Sequence, residues 1–277
     1  MDDSVVLNFY HISGWPVYYR ASVGSAIKYL EVLDSKPPGS RYSDFRQVPL
    51  GQLPAGRWNV AQLVHDGKDD KLTVKSVEQR TLSDVMDAWS GVKVDHKSLG
   101  DHLLATADEA LQPNHYIEFS RLSEAPAEVA VPKVIALMDP WYHGRSVLAN
   151  DSKIRRLIRD AGISTRVLGH LTENDSRVIG FMLESVAARQ AGIEHLEACR
   201  AALRKLHELG IAHGTLRRSS FLILEDGGGA LLQGFWTSFQ TSDQELLAGE
   251  MAGVEGLLQQ PLDEGHRPPA SITGVES

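Results

Sequence analysis

Between Leu196 and Phe235 the chain reads LEACRAALRKLHELGIAHGTLRRSSFLILEDGGGALLQGF, and no other stretch restricts the fold as much. Leu196, Cys199, Ala202, Leu203, Leu206 and Leu209 recur at steps of three and four, the spacing that gathers side chains on one face of a helix. Glu194, Glu197, Arg200, Arg204, Lys205 and Glu208 take the other face. Gly210 follows the last apolar position, where a residue without a Cβ ends a helix in the left-handed conformation. A short apolar run and a polar loop lead to Phe221–Leu224, which reads as a strand. A turn at 226–229 and a second strand, Ala230–Leu232, complete a hairpin.

Composition bounds the rest. The 277 residues are 42% hydrophobic and 23% charged, ordinary values for a globular chain. Acidic residues outnumber Lys and Arg by 36 to 28, a net charge of -8. That charge disfavours nucleic acid, which rewards a basic surface. No apolar run reaches the roughly 18 residues of a membrane span. Met1-Asp2-Asp3-Ser4 carries no basic n-region, so a cytoplasmic protein is expected. The single Cys199 allows no internal disulfide and, on the apolar helix face, reads as a small core residue. The 11 histidines show no ligand spacing, so no metal is expected.

In chain order, Val5–Tyr10 reads as a strand, and Ala21, Ile27, Tyr29 and Leu30 give Ala21–Val32 a helical periodicity. Pro37-Pro38-Gly39 breaks the chain. Trp58–His65 and Lys71–Val77 flank Asp66-Gly67 as a hairpin. Thr81–Trp89 is predicted helical, with Thr81 as cap and Leu82, Val85, Met86 and Trp89 as its stripe. Leu99–Leu111 is predicted helical too. Tyr116–Leu122 and Val129–Met138 read as strands, Asp151–Ala161 as a helix capped by Asn150 or Asp151, and Val167–Leu171 and Arg177–Leu183 as paired strands. A helix is expected from about Asp243 to Leu258, followed by a proline-containing flexible tail.

Two of these runs resemble a known family. Leu206–Ile223 resembles the catalytic-loop region of protein kinases, whose pattern is H-R-D-L-x-x-x-N. Gly169–Glu184 looks like the strand entering the hinge between kinase lobes. Residues 150–255 are similar to a group of short fungal protein-kinase-like proteins that are often mislabelled α-galactosidase A precursors. The resemblance implies an α+β, two-lobed protein-kinase-like fold with a truncated carboxy-terminal lobe and a decorated amino-terminal lobe. Its divisions are 1–184 for the amino-terminal lobe with inserted helices, 185–260 for the reduced carboxy-terminal lobe and 261–277 for the tail.

The departures from the family pattern decide the expected chemistry. Phosphoryl transfer is mainly positioning and charge stabilisation around Mg²⁺. The catalytic base of the kinase loop falls on Thr215, the metal-binding Asn on Ser220 and the metal-binding Asp of D-F-G on Gln233. Two hydroxyls and an amide supply oxygens but no charge, whereas Mg²⁺ prefers carboxylates and phosphates. The phosphate-holding lysine falls on Leu137 or Met138; Lys133 lies several residues early, and Lys75 becomes the candidate if the two hairpins are exchanged. The acid nearest the helix position that pairs with that lysine is Asp151, which reads as a cap. The turn after Asp66 is acidic, with Gly67 its one glycine, and would repel phosphate. His213 reads as a satisfied core histidine. No metal and no nucleotide cofactor are therefore expected.

A cleft between lobes is a favoured place for a small molecule. On the kinase-like alignment its lining is Met182, Phe221, Leu222, Phe235 and Trp236, with Thr215, Ser220, Gln233 and Arg217 as polar points. Such a lining suits an aromatic or prenylated substrate. The resemblance extends to fungal phenalenone-pathway hydroalkoxylation cyclases, which implies addition of a phenol oxygen across an alkene without a cofactor. That chemistry needs an acid, a base or hydrogen bond to the phenol, and aromatic faces for the cation. Glu118, Asp139, Glu184 and Arg217 are the candidate catalytic residues, with Asp151 a further acid. Two other readings stand beside it. A catalytically inactive pseudokinase interaction module predicts a filled cleft and an exposed apolar patch elsewhere. An atypical small-molecule kinase predicts nucleotide binding with Mg²⁺ held by other residues.

Overall fold

Residues 17–32 alternate rather than spiral. Val17, Tyr19 and Ala21 face one side of a sheet with Leu30 and Val32, while Tyr18 and Arg20 face the other. The structure, a computed structural model, describes residues 5–10, 17–33, 48–66, 71–99, 115–119, 134–139, 147–227 and 229–261, with 5–10 and 115–119 described by backbone alone. By its own packing the chain forms two units, Met1–Ser83 and Asp84–Ser277. The division expected at residue 184 falls inside the second.

The first unit is one five-stranded sheet: β1 (Val5–Tyr10), β2 (Val17–Val23), β3 (Ala26–Val32), β4 (Val60–His65) and β5 (Leu72–Glu78), in that spatial order. The helix expected over Ala21–Val32 is instead the β2–β3 hairpin. Gly24 at φ +60° opens its two-residue turn, which matches the twist of the flanking strands. The β4–β5 hairpin forms as expected, but it joins β3 in parallel and belongs to this sheet. Tyr19, Ala21, Leu30, Ala61 and Leu63 build the core, with Trp58 at its edge beneath the Lys28 ammonium, 3.7 Å from the ring centroid.

The second unit is α+β. Its strands and helices run β6 (Lys93–Asp95), β7 (His115–Phe119), β8 (Val134–Met138), α1 (Val147–Ile158), β9 (Val167–Glu173), β10 (Arg177–Glu184), β11 (Ala188–Gln190), α2 (Leu196–Glu208), β12 (Ile211–Ala212), β13 (Phe221–Leu224), β14 (Ala230–Leu232), β15 (Phe239–Gln240) and α3 (Gln244–Gln259). One sheet has the order β6-β9-β10-β8-β7, a second β11-β13-β14, and β12 pairs with β15. The expected helix over Thr81–Trp89 is absent. Its apolar residues find partners in the sheet and α1 instead: the Val85 amide donates to the Val178 carbonyl at 2.9 Å, and Trp89 Nε1 donates to Ser152 Oγ at 2.9 Å. Met86 packs with Leu148 and Phe181. These tertiary bonds replace the helical ladder that the local spacing favours.

The buried face of α2, formed by Cys199, Ala202, Leu203 and Leu206, packs on Phe221, Ile223 and Leu232 of the β13–β14 hairpin and on Val254 and Leu258 of α3. Burial pushes the Cys199 thiol up to about 12, so it is a core residue. Leu209 leaves that face. It is the C-cap residue and 46% exposed, and Gly210 at φ +69° ends the helix. α1 starts earlier than expected, at Val147, so Asn150 and Asp151 lie within the helix and cap nothing. The expected helix Leu99–Leu111, apart from Leu99, lies outside the described residues, as do Lys133, the turn at 67–70 and the tail beyond 261.

Gly180 of β10 stands opposite Met138 of β8. A Cβ there would stand 2.0 Å from the Leu137 carbonyl oxygen, beside a bulge in the pairing with β9. Backbone cannot yield as a side-chain tip can. Gly180→Ala is therefore expected to lower unfolding free energy by about 2 kcal/mol or more, in the range of overpacked cores, as read by urea unfolding.

Candidate functional site

The end of α2 and the turn after β14 meet because β12 and β15 pair, with Ile211 opposite Gln240 and Ala212 opposite Phe239. The Thr241 amide adds a 2.8 Å bond to the Gly210 carbonyl. This brings the loop from His213 against the turn at 233–238. Gly214, at φ +88°, lies where a Cβ would sit 2.4 Å from the Thr237 carbonyl oxygen, so only glycine lets the strands of the loop approach.

A loop without a ladder must satisfy its amides some other way. Here two carboxylates do so. Glu250 of α3 accepts from the His213 amide at 3.0 Å, the Gly214 amide at 2.7 Å and His207 Nε2 at 2.8 Å. Burial opposes its ionisation, but the His207 bond and the two amides together hold its carboxyl below the usual range. Asp151 of α1, 2% exposed, accepts from the Phe235 amide at 2.9 Å and from the Arg155 guanidinium. The Asn150 amide donates to the carbonyls of Phe235, Trp236 and Ser238 at 3.1, 3.0 and 2.8 Å.

His213 sits between these anchors, fully buried. Its Nε2 lies 3.0 Å from the Gln233 carbonyl, so Nε2 carries the proton and Nδ1, which has no hydrogen-bond partner among the described residues, does not. Burial pushes the imidazole down from its ordinary value, against the opposing pull of the Gln233 carbonyl and the Glu250 and Asp151 charges. The ring tilts against Phe235, centroids 5.6 Å apart, and its own carbonyl accepts from Ser238 Oγ at 2.8 Å.

The predicted residues divide sharply by burial. Phe221 and Phe235 are fully buried in the α2 core, and Leu222 is fully buried with Phe181 and Leu183. Met182 is also fully buried but packs with Ala136, Met138 and Ile179, a separate cluster from that of its strand neighbours. Leu137, one of the two lysine positions, packs with Ile135 and Leu148 of α1; Met138 belongs to the Met182 cluster. Trp236 is half-buried over Gly234, whose added Cβ would meet the indole at 3.3 Å. Thr215 and Arg217 are exposed. The Thr215 amide donates to Thr237 Oγ1 at 2.9 Å, Ser220 Oγ accepts from the Arg217 amide at 3.1 Å, and Gln233 Nε2 donates to the Ser219 carbonyl at 2.8 Å.

The candidate acids are spread out. Glu184 stands opposite Val134 of β8 and forms a 3.4 Å ion pair with Arg166. Glu118 on β7 stands opposite Ile135, near the same end of the sheet. Asp139 is five residues from Val134, about 17 Å along the strand. Sequence reasoning missed Asn150, Arg155 and Glu250. Glu250 left a trace: it falls on the buried stripe Leu247, Val254 and Leu258, where a carboxylate needs polar partners.

No family model matches the chain, and no curated protein matches it. A solved structure, the Cydia pomonella granulovirus kinase PK-1, is similar at 11% identity and a TM-score of 0.36, over 49% of this chain and 53% of that one. The match thus spans about half of each chain.

The network makes stability depend on pH. Burial pushes His170 down as it does His213, both from 6.5. Below that value the unfolded chain binds protons that the folded one refuses, so stability falls as pH drops through it. Glu250, lowered from 4.5, adds a further loss below its own range. Urea unfolding is expected to show lower stability at about pH 5.5 than at about pH 7.5. His213→Gln keeps a donor for the Gln233 carbonyl without titrating, and should show a shallower fall. Glu250→Gln is expected to lose about 2 kcal/mol at neutral pH, because an amide cannot replace a charged acceptor of three bonds.

Proposed function

We propose that the second unit is a protein-kinase-like scaffold that does not transfer phosphate and works as a binding module. The order of its parts supports the kinase-like reading. A five-stranded sheet is interrupted by α1 between β8 and β9, an extended crossing at 185–187 leads to α2, and a loop, hairpin and turn lead to α3. His213 and Gln233 then correspond to the histidine of the catalytic loop and the first residue of D-F-G.

One observation carries the conclusion about chemistry. The loop is held by hydrogen bonds to the amides of His213, Gly214, Thr215 and Arg217, yet the positions that handle charge in a kinase carry none. Thr215, Ser220 and Gln233 are neutral, and the last two turn their polar atoms to the loop's own backbone. Two divalent ions and a triphosphate need anionic ligands and a base within reach. The fixed scaffold is retained while the charge-handling groups are replaced, which suits binding without turnover.

The expected apolar lining favours the binding module over the cyclase. Phe221, Leu222, Phe235 and Met182 are core side chains with no free face, so a substrate would have to displace packing of about 1.5–3 kcal/mol for each. Cofactor-free cyclisation of an aromatic or prenylated molecule remains the second reading, favoured by the half-buried Trp236, whose neighbour Thr237 bonds the exposed Thr215.

Thermal unfolding with saturating ATP and Mg²⁺ is expected to leave the melting temperature unchanged. A saturable, Mg²⁺-dependent rise would overturn the reading, because a ligand that binds only the folded state must stabilise it. A rise with a prenylated phenol, lost in Trp236→Ala, would favour the cyclase instead.

A further inference from the structure

Residues 84–92 form no helix or strand, yet they are pinned across the second unit. The Val178 amide donates to Asp84 Oδ1 at 2.8 Å, and the Val85 amide donates to the Val178 carbonyl at 2.9 Å. Further on, the Trp89 amide donates to His170 Nε2 at 3.1 Å, and its indole Nε1 donates to Ser152 Oγ at 2.9 Å. The segment thus bridges β10, β9 and α1. Met86 is its one buried side chain, packed with Leu148 and Phe181. A segment held by so few bonds opens at lower cost than the sheet beneath it.

One of its anchors changes character with a proton. The His170 ring is fully buried and meets the Trp89 indole at 85°, centroids 5.5 Å apart. Because Nε2 accepts the Trp89 N–H, the neutral ring keeps its proton on Nδ1. A second proton, on Nε2, turns that acceptor into a donor facing a donor. The surrounding groups do not rescue the ion. Lys93 stands opposite His170 on β6 and disfavours another positive charge. On β10 the register partner is Phe181, and the Gly180 carbonyl compensates only in part. On α1, Asp151 and Arg155 are paired with each other. On the segment itself, Asp84 is bound to the Val178 amide and Asp87 is exposed.

We propose that residues 84–92 are a pH-sensitive strap: one proton from solvent on His170 Nε2 breaks the bond to the Trp89 amide and releases the segment from the sheet and from Ser152 while the core stays folded. The sign follows from burial. Desolvation lowers His170 from 6.5 in the strapped state, so the released state takes the proton more readily and opening grows as pH falls below that value. What is released is an apolar run, Val85, Met86 and Trp89. Ser152 directly follows Asn150 and Asp151, so α1 also loses a tie beside the residues that hold the turn at 233–238. The inference does not depend on the binding-module reading.

The test is hydrogen exchange on the full chain, resolved to single amides and expressed as protection against the intrinsic rate at each pH. Between about pH 7.5 and about pH 5.5, protection of the Val85 and Trp89 amides is expected to fall about threefold or more relative to the amides of α2. The α2 amides report opening of the core, so the ratio isolates the strap. His170→Gln offers the Trp89 amide an oxygen that does not titrate, and should abolish the fall. His213→Gln, which removes the other buried histidine, should leave it in place. Melting temperatures check that both variants fold, and if His170→Gln does not, the unaltered chain and His213→Gln decide. Absence of a selective fall in the unaltered chain, a fall that persists in folded His170→Gln, or one that disappears in His213→Gln overturns the proposal.

Discussion

Two carboxylates, Asp151 buried and Glu250 half-buried, hold the second unit's loops in place. Glu250 and Asp151 take up the amides of His213, Gly214 and Phe235, which no strand or helix satisfies. A buried amide without an acceptor costs as much as a lost hydrogen bond. Each carboxylate reaches from a different helix, so the loop and the turn are fixed only when α1 and α3 are both packed. The apolar core of α2 provides that packing, because Phe235 and Val254 join the same cluster as Leu203 and Leu206. Folding of the core and ordering of the loop are thus one event. The charges serve structure, and that is consistent with a loop whose exposed positions, Thr215 and Arg217, are free to vary in chemistry.

This division of labour separates positions that hold backbone groups from positions that do not. The residues that hold backbone groups are tied to the core and cannot change without cost. The exposed loop positions are tied to less. The Thr215 side chain is exposed, and Gln233 binds a neighbouring carbonyl that water could satisfy equally. Asn150 is one of the residues that hold backbone, with one amide group shared among three carbonyls of a single turn.

Legibility in the sequence followed the range of the interactions. α2, the β13–β14 hairpin and α3 were readable because their periodicity and end signals are local: Gly210 stops α2, and Asp243 caps α3 through the amides of Glu245 and Leu246. The β2–β3 hairpin reads as a helix because Ala21, Ile27 and Leu30 satisfy a helical spacing, whereas Ile27 and Leu30, three apart on β3, face opposite sides of the sheet, and Gly24 carries the deciding signal. Thr81–Trp89 was misread because its partners, Val178 and Ser152, lie far away in the chain. In the candidate site, the neutral character of Thr215, Ser220 and Gln233 is plain in the sequence. The roles of Asp151 and Glu250 were not, since a carboxylate that caps a helix and one that receives a distant amide look alike in one dimension. Burial of the proposed lining was equally invisible, because Phe221 and Phe235 have the same composition whether they face a cleft or a core.

The parallel pairing of β3 with β4 carries a consequence for how the first unit assembles. Tyr29 lies opposite Val60, and Val32 opposite Leu63, so the strands cannot zip from a tight turn as hairpins do. The β2–β3 and β4–β5 ribbons each arise from neighbouring residues, but their union must wait for the ends of a long intervening segment to meet by diffusion. Closure of that loop, with its entropic cost, is the slow step such a topology imposes. Until it is complete, β3 and β4 each expose an unpaired edge, and crowding or high concentration would act on that interval more than on the finished sheet.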